Sequence, residues 1–249
     1  DDGPLAVVGG AGRGRTGALR SVVAQLAIRR PDRHVHVVDA GVGLADLATL
    51  ATVGAVVPAV DRALLARLVA RLATAALPTV LVVDGWDLLA AAATDGPGLR
   101  LLDALDALGA LPHVTFAVTS RRPRVLPRTT AGGTVVTLGL DDPADWALAG
   151  LRPPLGTTPP GRAWTADGHE LQLALPPDGL PAVDPPPGPP PVTVRPLPTR
   201  VHLDRHDRRS GAVALGLRDR DLGPARWRPA GGRPFVIAGP PRSGRSTAL

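Results

Sequence analysis

The chain has 249 residues, a formal net charge of +6 and no cysteine, and 44% of it is hydrophobic against 2% aromatic. That apolar content excludes a disordered chain and allows a buried core of Val, Leu, Ile and Ala in one large domain or two smaller ones. It holds no uninterrupted apolar stretch of about 18 residues, the length a membrane-spanning helix needs; no signal-peptide pattern is visible, and without Cys neither a disulfide framework nor a thiolate metal site can form.

All 28 basic residues are Arg, and Lys, Met and Asn are absent. Arg, Ala, Gly and Pro have GC-rich codons, so the bias is first a genome signature. Arg195 to Arg233 holds ten Arg and four Asp, which equals the whole positive excess. An Arg-rich surface can contact nucleic acid through counterion release; a solvated basic linker is the plainer alternative.

In chain order, "LAVV" (5–8) is a short apolar run ending in glycines, as in a buried parallel strand. The segment 16–30 is rich in helix formers and stops at Arg-Arg before Pro31. "HVHVVD" (34–39) predicts a strand, "LADLATL" (44–50) a short helix, and "GAVVP" (54–58) an edge-like strand. In 61–77, Leu64, Leu65, Leu68 and Leu72 share one helical face, with Arg62, Arg67 and Arg71 mostly off it. "TVLVVD" (79–84) predicts a strand, 99–108 a helix, and "VTFAVTS" (114–120) and "TVVTL" (134–138) two more strands. Strands alternating with helices define an α/β class: a mostly parallel sheet covered on both faces.

After Gly150 the texture changes. Asp167-Gly168 lies between alternating runs over 161–175, a hairpin signal. Residues 177–199 are Pro-dense, which predicts a stiff extended linker. "GAVALGL" (211–217) then reads as a strand.

Two segments carry the chemistry. Pro4–Leu19, "PLAVVGGAGRGRTGAL", and Pro234–Leu249, "PFVIAGPPRSGRSTAL", repeat one order of residues at an offset of 230, since 239 − 9 = 230. Each is Pro, an apolar run, Gly, four residues, Gly-Arg, a hydroxyl residue and Ala-Leu. That offset is too long for a solenoid repeat and fits tandem copies of a whole domain. The sequence therefore predicts a piece of a longer protein.

The shared pattern is a phosphate-binding loop, G-x-x-x-x-G-K-[ST], with Arg at the Lys position. Its glycines let backbone N–H groups turn inward around phosphate oxygens, and the following helix adds a favourable dipole. The Lys position reaches the terminal phosphates and the hydroxyl binds Mg²⁺. The first loop runs Gly9, Gly10, Ala11, Gly12, Arg13, Gly14, Arg15, Thr16; the second supplies Gly239, Gly244, Arg245 and Ser246. Arg keeps the charge, but its guanidinium is wide and planar where Lys is a compact point charge. Nucleotide binding can survive that exchange where hydrolysis does not.

Asp84 ends an apolar strand, as does the second nucleotide signature, whose Asp holds Mg²⁺ through water. The next position, commonly acidic in active ATPases, is Gly85; Asp87 starts a helix or acts as a base. Thr119, after another apolar strand, is placed to sense the terminal phosphate. A rival fingerprint also exists: Gly12-x-Gly14-x-x-Gly17 with Asp39 ending the next strand matches a dinucleotide site. Three residues separate it from its strand, however, and the C-terminal copy lacks it. His34 and His36 alternate on a strand, and His202 and His206 have metal-like spacing but sit in an Arg/Asp-rich segment, where solvent exposure is the expectation.

These motifs together resemble the FtsK/SpoIIIE family of P-loop motor proteins, in the tandem-module form of the EccC-type motor of type VII secretion. The resemblance rests on the Gly9–Thr16 loop, "VLVVDGWD" (80–87), "VTSRRP" (118–123), "DDPADWALAGL" (141–151), "PPGRAW" (159–164) and "ELQLALP" (170–176), in the family's order. It implies a RecA-like fold over 1–176, a linker over 177–199 and the start of a next module over 200–249. It implies ATP and Mg²⁺ as ligands, with Thr16, Asp84 and Ser246 on the metal. The partners it implies are neighbouring ATPase modules in a homo-oligomeric ring and a DNA or secreted-protein cargo. It places the segment on the cytoplasmic side of a membrane-anchored parent, making no membrane contact itself. Arg15, Arg245 and Gly85 depart from the family pattern, so weak or absent hydrolysis is expected. The alternatives are a non-catalytic interaction module and an active DNA translocase.

Overall fold

The computed structural model describes residues 3–174, 179–185, 188–202, 211–219, 221–229 and 235–241. It divides into two compact units, Asp1–Val194 and Arg195–Leu249.

The first unit is built on β1 (Leu5–Val8), β2 (His34–Asp39), β3 (Val53–Pro58), β4 (Thr79–Asp84), β5 (Val114–Ser120) and β6 (Thr134–Leu138). These strands are parallel, and β7 (Arg162–Thr165) and β8 (Glu170–Gln172) extend the sheet antiparallel. The order is β3-β2-β4-β5-β1-β6-β7-β8. Val-rich strands with every residue buried, as in β2 and β4, are what a sheet covered on both faces requires.

The helices are α1 (Arg15–Arg29), α2 (Arg62–Leu72), α3 (Trp86–Ala92), α4 (Gly96–Ala107) and α5 (Pro143–Leu148). On one face Leu19, Val23 and Ala27 of α1 pack on Val35, Val37, Val80, Val82 and Ala117. On the other, Leu64, Leu65, Leu68 and Leu72 of α2 and Leu105 of α4 pack on Leu81, Val83, Phe116 and Val118. The side chain of Asp61 caps α2 by accepting from Leu64 N–H, and that of Asp95 caps α4 by accepting from Gly98 N–H.

The topology decides between the two glycine fingerprints. In a dinucleotide-binding sheet the first two strands are neighbours. Here β1 lies between β5 and β6, while β2 pairs with β3 and β4. This is a RecA-like P-loop arrangement, and it puts the chain ends after β2, β4, β5 and β1 side by side along one edge of the sheet.

Three details depart from the sequence expectations. Residues 44–50 hold a 3₁₀ turn, Ala45–Thr49, rather than an α-helix. Arg67 is buried although it falls off the leucine face. The Pro-rich stretch does not stand away from the sheet. Leu180 and Val183 pack against the core on the α1 face, and Val192 and Val194 against the core on the α2 face, so this segment laps the edge strand β3.

Gly54 permits the close approach. A Cβ there would lie 2.3 Å from the Val192 carbonyl oxygen and 2.5 Å from His36 Cε1. The β2–β3 register steps from Val35↔Val53 to His36↔Ala55, leaving Gly54 as the extra residue of a bulge.

In the second unit β9 (Val213–Leu217) and β10 (Pro224–Trp227) form an antiparallel pair. Trp227 stacks on Phe235 with ring centroids 5.0 Å apart. Gly239 is half-buried and outside any strand. The expected loop residues Gly244, Arg245 and Ser246, and His206, lie outside the described residues.

Candidate nucleotide-binding site

The loop from Gly9 to Gly14 joins β1 to α1 and is pinned at both ends. Gly9 N–H donates to the Ser120 carbonyl at 3.1 Å and Gly10 N–H to the Gly139 carbonyl at 2.8 Å, continuing the pairing with β5 and β6. Gly161 N–H donates to the Arg13 carbonyl at 3.2 Å, and Arg13 Nη1 donates to the Thr158 carbonyl at 3.1 Å. Gly12 and Gly14 hold φ of 69° and 100°, values that an L side chain resists. Gly14 is the N-cap of α1 with no side chain over it, so the first N–H groups of a 15-residue helix stay uncovered at the loop. A Cβ on Gly9 would lie 2.6 Å from Leu138 Cβ, so the loop starts flush against β6.

Thr16 opens α1 and turns its hydroxyl to Asp84, donating to Oδ2 at 2.8 Å. Thr119, fully buried on β5, donates to Asp84 Oδ1 at 2.6 Å and accepts from Gly85 N–H at 2.7 Å. Thr16, Asp84 and Thr119 thus form one hydrogen-bonded chain beside the loop. Thr119 sets the orientation of the Asp84 carboxylate, a direct contact that the sequence did not reveal. Gly85, at φ 81°, takes the place of a following acid; a Cβ there would lie 3.1 Å from Leu88 Cδ1.

Arg15 is largely enclosed, and its Nη1 has no hydrogen-bond partner. It stands 3.9 Å from Asp87 Oδ1, and Asp87 also accepts from Arg121 N–H at 3.1 Å. Asp87, in the first turn of α3, is thus the counter-ion of Arg15 and Arg121. Burial lowers the pKa of Arg15 from its ordinary value; Asp87 and Asp84 work against that, and Arg121 adds to it. A cation short of both water and a hydrogen-bond partner suits an incoming phosphate.

Asp39 has a part that the sequence missed. Its Oδ2 accepts from Gly43 N–H at 3.0 Å and Leu44 N–H at 2.9 Å, which ties down the loop after β2. That role replaces the ribose contact of the dinucleotide alternative.

Beside the loop lies a cavity of about 330 Å³ lined by Arg13, Leu140, Asp141, Trp146, Pro154 and Thr158, among others. Trp146 donates its indole N–H to the Leu140 carbonyl at 3.1 Å and meets Trp164 edge-on. Among the described residues no group of three His, Cys, Asp or Glu could hold a metal ion, and no helix is long and apolar enough to cross a membrane.

Fold and loop together define the class: a RecA-like P-loop NTPase sheet. No family model and no curated protein matches the chain. Among solved structures it is similar to ATPases 2 and 3 of Thermomonospora curvata EccC in complex with a signal sequence peptide, at TM-score 0.65 and 23% identity. That match covers 91% of this chain and 51% of the other. It is similar to ATPases 2 and 3 of EssC from Geobacillus thermodenitrificans at TM-score 0.68 and 18% identity, covering 92% of this chain and 54% of that one. The pCW3 conjugation coupling protein TcpA with ATPγS follows at TM-score 0.50 and 15% identity, covering 69% and 60%. The chain shares the fold of these ATPases and spans about half the length of the EccC and EssC chains.

Proposed function

We propose that the chain is an ATP-binding module of an FtsK/SpoIIIE-type translocase, with hydrolysis weak or lost. The carrying observation is the Thr16–Asp84–Thr119 hydrogen-bonded chain beside a glycine loop that leaves the N-terminus of α1 uncovered. Backbone N–H groups of Gly9 to Thr16 hold the phosphates, and Arg15 closes on them with the Nη1 that makes no hydrogen bond. Gly239, Gly244, Arg245 and Ser246 do the same work in the second loop. Mg²⁺ fits this donor set: one hydroxyl and one carboxylate suit an ion that takes its remaining ligands from phosphates and water. When bound, it neutralises charge on the terminal phosphates.

The cavity beside Arg13 takes the nucleoside. Its volume and its Trp146 and proline lining suit a base, and Asp141 and Thr158 supply polar contacts. Gly85 leaves the site without the usual water-polarising acid, which supports weak turnover.

The domain expectation stands as part of this proposal: a module over 1–176, a linker over 177–199 and the start of another over 200–249. Neighbouring modules and a secreted-protein segment are the partners favoured by the likeness to EccC, whose structure holds a signal sequence peptide; DNA is the other cargo. The parent is membrane-anchored, with this segment on its cytoplasmic side. An ATP- and Mg²⁺-dependent rise in melting temperature tests the binding. A folded protein that shows no shift and no equilibrium binding of labelled ATP overturns it. The approach of Arg15 to Asp87 favours a second reading, an interaction module whose loop stays empty; the same binding measurement decides between them.

A further inference from the structure

We infer that Asp39 is a second carboxylate of the metal–phosphate site, holding the metal's water through its Oδ1; this rests on the ATP-binding reading above. Asp39 and Asp84 end adjacent parallel strands in the same register, Asp39↔Asp84. Side chains two apart on a strand share a face. Val35 and Val37 on β2, and Val80 and Val82 on β4, all pack on the α1 face. Asp39 and Asp84 therefore face α1, whose first turn carries Thr16.

The loop between Asp39 and Leu44 brings the two carboxylates to one place. A Cβ on Gly41 would lie 2.7 Å from Asp84 Oδ2 and 3.9 Å from Thr16 Oγ1, and one on Gly43 would lie 3.0 Å from Thr16 Cγ2. The loop thus passes bare over the Thr16–Asp84 pair. Arg20 fastens it from α1, donating to the Gly43 carbonyl at 2.9 Å. Val42, between the two glycines, sits at φ 57° with its side chain exposed, a conformation that disfavours a β-branched residue.

Asp39 is 6% exposed. Its Oδ2 is fully used by Gly43 and Leu44, yet its Oδ1 is buried with no partner. An unpaired buried carboxylate oxygen is costly unless something donates to it. A water on a divalent cation is a strong donor, and the cation at Thr16 and Asp84 is the charge that suits a second anion here. The role is one of positioning: Asp39 orients water on the metal and does not contact the nucleotide.

Manganese is the probe. Mn²⁺ affinity of the ATP-loaded protein, read by electron paramagnetic resonance, is compared between wild type and Asp39→Asn. The amide oxygen keeps the bonds to Gly43 and Leu44 while the free acceptor is lost. Outer-shell partners of metal ligands commonly alter metal affinity by about 10- to 100-fold, so Mn²⁺ affinity should fall by that factor, with ATP affinity in EDTA unchanged. Asp39→Ser, which also keeps a loop acceptor, should behave alike if the first variant does not fold. Unaltered Mn²⁺ affinity in either folded variant overturns the inference alone. Failure of the wild type to bind ATP at all overturns it together with the ATP-binding reading.

Discussion

The hydroxyl of Thr16 donates to the carboxylate of Asp84 at 2.8 Å across 68 positions of sequence. Asp84 is 3% exposed, and its other oxygen is held by Thr119. Thr16→Ala therefore removes the metal ligand proposed above and also strips a buried carboxylate oxygen of its donor. Loss of a buried acceptor's partner costs about 1–3 kcal/mol. The variant should lose that much unfolding free energy in urea titration, and Mg²⁺ should no longer strengthen ATP binding in calorimetry. Equal Mg²⁺ dependence in the variant and the wild type would exclude Thr16 from the metal.

The glycines of the loop should not be equivalent. A Cβ on Gly9 meets Leu138 Cβ at 2.6 Å and Leu138 Cα at 3.5 Å, and Leu138 is fully buried. Relief requires β1 and β6 to part. Gly12 has open space around its Cβ position and only its φ of 69° to defend. Gly9→Ala should cost about 1–3 kcal/mol by overpacking and weaken ATP binding with it. Gly12→Ala should cost about 1–2 kcal/mol from conformation alone. Urea unfolding gives the stabilities; a Gly9→Ala protein as stable as wild type would mean that the loop does not lie against β6.

Much of this site was legible in the sequence, and the reasons are local. Glycine punctuation after "LAVV" marked the loop, and apolar runs ending in Asp84 and Thr119 marked strand ends. The six parallel strands and the 167–168 hairpin followed from alternation and turn chemistry. What sequence could not carry is lateral placement. That β2 pairs with β4 in the register Asp39↔Asp84 is a tertiary fact, so Asp39 read only as a strand end or a ribose contact. Asp87 likewise gave no sign of being the counter-ion of Arg15. Pro density led to the expectation of a stiff linker over residues 177–199 and gave no sign of the lapping of Leu180, Val183, Val192 and Val194 onto both faces of the sheet edge.

Arg15 should govern affinity more than turnover. Charge-assisted hydrogen bonds contribute about 1.5–3 kcal/mol, which converts to about 10- to 150-fold in affinity. Arg15→Ala should weaken ATP by that factor in equilibrium binding. Arg15→Lys should keep affinity within a few-fold and leave phosphate release slow, because position 85 still has no acid. A lysine variant that turns over like an intact motor would locate the defect wholly in the guanidinium.

His36 makes stability depend on pH. It is fully buried on β2, and neither ring nitrogen has a hydrogen-bond partner. Burial lowers its pKa to about 4, with His34 beside it acting in the same direction. Burial lowers the pKa of His34 as well, against a hydrogen bond to the Pro189 backbone. The sign follows from proton counting. Above the unfolded value of about 6.5 both states are neutral and His36 contributes nothing. As pH falls from there to about 4 the unfolded chain takes up a proton that the folded protein refuses, so stability declines. The loss levels off below the folded value, at about 3 kcal/mol for a shift of this size. Unfolding free energy measured between pH 7 and 4 should fall accordingly, and His36→Leu should flatten much of that decline. A wild-type stability that stays level across the interval would mean that His36 is hydrated or charged in the folded protein.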